Sequence, residues 1–235
     1  MAVAHDASSP SHAGTGTSAS EASFSWTHTP VGTPRGVLVF TFSLTTATEH
    51  ATGVTYGGVA MAAVSGGSAA DTATEPMRCT AWFVGSGIPT GAQTVTVSRT
   101  TDTFVMWAVA ITVTANGDTE VTGVVLEQEN QALTEENIND GSPGTNSLRY
   151  VGIASGLGTP ATSLTTGANS TRLQVNDGGS RGAVVTRETT AGQGSRPVGE
   201  SGASDDVAAV YLAIREVAAA AFPFAPNPMA HMLVR

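Results

Sequence analysis

The sequence predicts an all-β protein, an antiparallel β-sandwich, and three observations carry that expectation. Roughly ten short runs alternate apolar and polar side chains with period two. Clusters of Gly, Asn, Asp, Ser and Pro separate them at the spacing of a sandwich or barrel. No long stretch shows the 3.6-residue period of an amphipathic helix, and Thr, Ser, Gly, Val and Ala, which suit strands and turns, dominate the composition.

Residues 1–21 are Ala, Ser, Thr, Gly and His without an apolar period, and read as a flexible N-terminal arm. From there the pattern changes, and a single sandwich domain is expected over 22–218. SFSWTHT (23–29) alternates Phe24 and Trp26 against Ser and Thr, a half-buried strand. GVLVFTFSLTT (36–46) places Leu38, Phe40, Phe42 and Leu44 on one face and Val37 and Val39 on the other, the mark of a central strand. MRCTAWFV (77–84) sets Met77, Cys79, Ala81 and Phe83 against Arg78, Thr80 and Trp82; QTVTVSR (93–99) points Val95 and Val97 inward.

FVMWAVAITVT (104–114) is almost wholly apolar, and EVTGVVLEQ (120–128) follows it across Asn116-Gly117, a strong short hairpin signal. After an acidic loop come LRYVGIAS (148–155), TRLQV (171–175), GAVVTRET (182–189) and DVAAVYLAIREV (206–217). NDGGSR, between the second and third of these, also carries hairpin chemistry. The expected core is Phe40, Phe42, Val95, Val97, Trp107, Val109, Ile111, Leu212 and Ile214, in a sandwich of the jelly-roll or Ig-like kind. In GVTYGGVAMAAVSG (53–66) no helix follows the glycines, so they are not placed to cradle a phosphate. Gly57 and Gly58 read as a tight turn or bulge with positive φ at one of them, leading into a Ser, Gly and Ala-rich loop that ends near Asp71.

With 235 residues, 40% hydrophobic and only 12% charged, the chain can bury a real core beneath a weakly charged surface. Its net charge of -9, with all ten basic residues arginine and spread from Arg35 to Arg235, excludes nucleic acid as the expected partner. Cys79 is the sole cysteine, so neither an intrachain disulfide nor a cysteine-based zinc site can form. The start MAVAHDASSP lacks a basic segment followed by an apolar one, and the longest apolar stretch is broken by Arg215 and Glu216. The chain is expected to be made in a cytoplasm and to engage no membrane.

Little in the sequence resembles catalytic chemistry. Gly178-Gly179-Ser180-Arg181-Gly182 matches G-x-S-x-G, but in a loop between two expected strands rather than a strand-to-helix elbow, so it reads as coincidence. His5, His12, His28, His50 and His231 never pair at metal-ligand spacing and read as solvated or capping residues. Glu127, Glu129, Glu135, Glu136 and Asp140 lack the order of a calcium loop, which leaves a solvated acidic loop or one turn of helix. Phe24, Trp26, Trp82 and Trp107 read as core, only Trp82 lying opposite Cys79; Cys79 itself reads as an inert buried thiol. Asn169-Ser170-Thr171 is a sequon with no secretory route to give it meaning. No catalytic residue, cofactor or metal is expected, and no enzyme.

Val54 to Gly58 (VTYGG), the strand bearing Trp82, the loop with Pro89, and Gly91 with Thr94 to Val97 resemble a β-sandwich domain found in tailed-phage virion proteins and some bacterial surface proteins. The likeness covers residues 35–113. It implies a non-enzymatic structural component of a virion, a capsid decoration or minor tail protein made in the host cytoplasm. Its partners would be other virion proteins, of capsid or tail, or further copies of itself. Residues 219–235 read as an apolar, Pro-rich docking tail: Phe222, Phe224, Met229, Met232 and Leu233 are spaced by Pro223, Pro226 and Pro228. A chain cut after Val217 is expected to fold without joining the particle, and one starting at Ala22 to join with reduced occupancy. The alternative is a carbohydrate-binding or adhesive module that uses exposed aromatics or loop carboxylates, with a host-surface glycan as partner, and it predicts an exposed Trp82.

Overall fold

In the computed structural model the described residues are 3–13, 17, 21–44, 50–72, 76–100, 105–128, 131–141, 146–156, 164–177, 181–202 and 204–217. They form β-strands and no helix. The first eight are β1 (Ala4–Pro10), β2 (Ser23–His28), β3 (Gly36–Ser43), β4 (Ala51–Tyr56), β5 (Val59–Asp71), β6 (Met77–Val84), β7 (Gln93–Arg99) and β8 (Met106–Thr114). Next in the chain are β9 (Thr119–Gln128), β10 (Gln131–Ala132), β11 (Glu136–Asn139), β12 (Leu148–Ser155), β13 (Thr165–Thr166) and β14 (Ser170–Asp177). The last are β15 (Gly182–Glu188), β16 (Ser195–Val198), β17 (Glu200–Ser201), β18 (Ser204–Asp205) and β19 (Val207–Glu216).

The fold is an antiparallel β-sandwich. Its first sheet has eight strands in the order β1-β8-β3-β6-β5-β4-β7-β2, its second five in the order β14-β15-β12-β19-β9. The eight-stranded sheet curls until its two end strands, β1 and β2, touch through side chains. The near-barrel so formed is filled by Phe24, Val37, Val39, Tyr56, Trp82, Val95, Val97 and their neighbours. Its outer face supplies Leu38, Phe40, Phe42, Trp107, Val109 and Ile111 to a second core, shared with Tyr150, Val210, Leu212 and Ile214 of the five-stranded sheet. A third core lies beyond that sheet, where the ribbons β10–β18, β11–β16 and β13–β17 and their flanking turns press Leu133, Ile138, Leu164 and Val198 onto Val151, Ile153 and Tyr211.

This layering accounts for the strands that are apolar on both faces. β3 and β12 are buried along their entire lengths because each has a core above and below it. The two sheets approach closely at Gly152, where a Cβ would stand 2.6 Å from Cδ1 of Phe40. The same residue's carbonyl accepts the Cys79 thiol at 3.4 Å.

The structure corrects four expectations. Part of the supposed N-terminal arm is β1, which pairs antiparallel with β8 from Ala4↔Thr114 to Pro10↔Val109. Backbone hydrogen bonds to an open edge hold it, and these need no apolar alternation. The stretch read as a loop to Asp71 is β5, a strand of 13 residues that joins β4 to β6, with its register shifted between Ala63 and Ser68. Its Ala60, Ala62, Ala63, Ser65 and Ser68 are exposed, so no apolar alternation marks it as a strand. Asn116-Gly117 does not make a hairpin: β8 pairs with β1 and β3, whereas β9 pairs with β19, so the turn crosses between sheets. The crossing is fixed by Thr119 N–H on the carbonyl of Gly85 and Val217 N–H on that of Asp118. Finally, the acidic loop contains the strands β10 and β11 rather than a solvated coil or a helical turn.

Candidate functional site

The curled sheet is closed at one seam, where β1 meets β2 and the edge of the five-stranded sheet. Trp26 Nε1 donates to Ser9 Oγ at 3.1 Å, and Ser9 Oγ lies 2.7 Å from His28 Nδ1. His28 Nε2 lies 3.2 Å from Thr112 Oγ1, which donates to Asp6 Oδ2 at 2.8 Å. One protonation pattern satisfies every group: the Ser9 hydroxyl donates to Nδ1, and a neutral His28 donates from Nε2. Burial holds the His28 pKa down at about 4 against the opposing pull of Asp6. The Asp6 carboxylate also accepts the N–H groups of Val31 and Gly32.

Ser, His and Asp in one chain of hydrogen bonds is a pattern that nucleophilic enzymes use. Here Ser9 already accepts from Trp26 and donates to His28, and His28 is only 1% exposed. The chemistry this arrangement supports is fastening strands. On the other face of β1, His5 Nδ1 is 3.3 Å from the Tyr150 hydroxyl, and Gln174 Nε2 donates to Ser8 Oγ. β1 therefore buckles the near-barrel to itself and to the second sheet.

Below that buckle is an open cleft of about 530 Å³ lined by residues that include Val3, His5, Asn146, Leu148, Arg187 and Thr190. Burial, with the Arg187 charge next, lowers the His5 pKa to about 4. Burial likewise raises that of the Tyr150 hydroxyl. Arg187 Nη1 donates to the carbonyls of Glu188 and Thr189 at 2.7 and 3.1 Å, while its Nε is buried without an acceptor among the described residues.

Two further polar clusters lie on the outer side of the second sheet. Arg149, with no exposed surface, pairs with Glu188 at 2.9 Å and Asp140 at 3.6 Å. It also donates to the carbonyls of Ile138, Gly192 and Gly194. Arg196 binds the second oxygen of Glu188 at 2.8 Å, and Ser147 donates to Asp140. Two cations thus meet two carboxylates, and the arginine fork adds donors to three backbone carbonyls. Arg172 makes a two-toothed pair with Glu200, which also accepts from Thr186. Neither cluster was legible in sequence; the nearest signal is that every basic residue is arginine, the side chain suited to such forks.

Of the residues singled out from sequence, Gly57 and Gly58 form the two-residue turn between β4 and β5, with φ of 55° and 83°. Phe222, Phe224, Met229, Met232 and Leu233 lie outside the described residues, as do His231, Glu129 and the Gly178–Ser180 part of the G-x-S-x-G match. Trp82 is buried, its Nε1 donating to Thr41, so it presents no stacking surface. Cys79 is buried, and burial pushes its thiol pKa well up. His5 and His28 are structural groups of the seam rather than solvated residues. Asp140 is buried in the Arg149 cluster. Glu127 takes the Tyr211 hydroxyl, and burial raises its pKa. Among the described residues no group of three or more His, Cys, Asp or Glu could hold a metal ion. Comparison of the chain with family models, curated proteins and solved structures gives no match.

Proposed function

We propose that the chain is a non-enzymatic structural component of a bacteriophage virion, a capsid-surface or minor tail protein held to the particle through its C-terminal tail. One contrast carries this reading. Among the described residues, the large hydrophobic side chains that are exposed are Val31 and Val217 alone. The sequence beyond Val217 adds Phe222, Phe224, Met229, Met232 and Leu233. A domain with so little exposed apolar surface offers those five side chains scant cover, whereas a neighbouring protein could bury them for roughly 1.5–3 kcal/mol each. The prolines between them limit the unfolded tail's freedom and so reduce the entropy lost on docking.

The resemblance of residues 35–113 to phage virion domains points the same way. Because β1 is part of the sheet, the N-terminus is assigned to holding the domain together, and anchoring falls to the tail. The test is a chain cut after Val217, incubated beside full-length protein with particles that lack it. The truncated chain should keep its unfolding midpoint and lose its place on the particle; equal numbers of bound copies would overturn the reading.

A further inference from the structure

Arg187 stands out because its charge has no carboxylate partner among the described residues. Two acids of the neighbourhood are engaged elsewhere: Glu188 by Arg149 and Arg196, Asp6 by Thr112 and two backbone N–H groups. Two carbonyls hold Nη1, which fixes the plane of the guanidinium, and Nη2 makes no hydrogen bond with a described residue. In a protein with a net charge of -9, this is a lone oriented cation at the wall of a cleft.

The cleft's volume of about 530 Å³ falls in the range typical of small-molecule sites, about 300–1,000 Å³. Its lining is divided. Val3, Leu148 and Ala191 provide apolar surface, while Asn146 and Thr190 offer exposed hydrogen-bonding groups beside His5 and Arg187. Among the described residues no carboxylate lines it. A fixed guanidinium with Nη2 left over favours a carboxylate over a neutral oxygen. Amide, hydroxyl and imidazole groups around an apolar wall favour a compact ring that has hydroxyls at its rim and C–H groups on its face.

We propose that this cleft binds a sugar acid, with the carboxylate on Nη2 of Arg187, the hydroxyls on Asn146, Thr190 and His5, and the ring against Val3 and Leu148. None of these lining residues belongs to 219–235, so this site does not depend on the assembly reading.

The experiment is an NMR titration of the full chain with glucuronate, glucose and acetate, following the His5 ring and Arg187 Nε signals. Glucuronate should saturate both signals, with glucose and acetate each at least tenfold weaker. Arg187→Gln should weaken glucuronate at least tenfold. Thr190→Trp, which fills the cleft from its exposed rim and leaves Arg187 in place, should do the same and decides the matter if the first variant misfolds. Glucose binding as tightly as glucuronate would overturn the proposal, and so would acetate doing so. Saturation that survives both variants, or no saturation by any probe, would show that Arg187 serves only to hold its turn.

Discussion

The near-barrel and the five-stranded sheet solve the problem of a doubly buried strand in different ways. Inside the near-barrel both faces are covered by other strands, whose backbone groups are already paired in ladders. Apolar packing of Val37, Val39, Tyr56, Val95 and Val97 can then fill the space with few polar groups. The outer face of the five-stranded sheet is covered by short ribbons and turns. These bring carbonyls outside any strand, those of Gly194 and Leu164, and Arg149 and Arg172 sit beneath them with their carboxylates. The difference teaches that covering a sheet with irregular chain requires buried donors, and that arginine supplies several from one side chain.

The largest expected effect would break the near-barrel at its seam. Deleting residues 1–21 removes β1 and strands the hydrogen bonds of His28, Thr112, Trp107 and Tyr150. At ~0.5–1.5 kcal/mol for each such bond, the loss should reach roughly 5 kcal/mol. Urea unfolding measures it, and a chain starting at Ala22 that unfolds at the full-length midpoint would show that the sheet closes without its buckle.

Two substitutions then separate the modes of support. Trp107→Ala, in the core shared by both sheets, should cost ~3–5 kcal/mol through the cavity it leaves. Arg149→Met should cost about 3–5 kcal/mol by leaving Glu188 and Asp140 short of their cation. Hydrogen exchange distinguishes them: the first should loosen both sheets, the second chiefly residues 136–140 and 192–198. Uniform loosening by Arg149→Met would mean that the ribbons are not a separate layer in energetic terms.

A pH series sharpens the account of the seam. His28 is held at about 4, below its unfolded value near 6.5. Between those values the unfolded chain binds the proton and the folded chain does not. Stability should therefore rise with pH from about 4 to 6.5, and be lost as pH falls through that window. His28→Gln should flatten this slope relative to the full-length protein; identical slopes would place the pH dependence elsewhere.

The smallest effects belong to the turn. Gly58→Ala should cost ~1–2 kcal/mol for its positive φ alone, since a Cβ there meets nothing within 4 Å. Gly57→Ala should cost more, because its Cβ would come 2.4 Å from Gln93 Oε1 and 2.7 Å from Pro89 Cγ. Equal midpoints for the two variants would mean that the Gln93 side chain yields freely.

The sequence by itself determined which residues face the cores. Alternation is a local property of the chain, and burial acts on it directly, so β3, β6, β7, β8, β12 and β19 lie within a few residues of where the pattern places them. Gly57-Gly58 was legible for the same reason, since positive φ is a demand on a single residue. What only the tertiary structure decided is which edges pair and which charges meet. β1 has no apolar period because backbone groups hold it to β8, and those are the same in every residue. Asn116-Gly117 has the chemistry of a hairpin, but the partner of β9 was settled by β19, more than 75 residues downstream. Arg149 and Glu188 stand 39 residues apart, and among the described residues Arg187 has no carboxylate because Glu188 beside it is taken by Arg149 and Arg196. Side-chain pattern selects a face, whereas strand order and charge pairing depend on contacts between distant segments, which exist only once the sheets have closed.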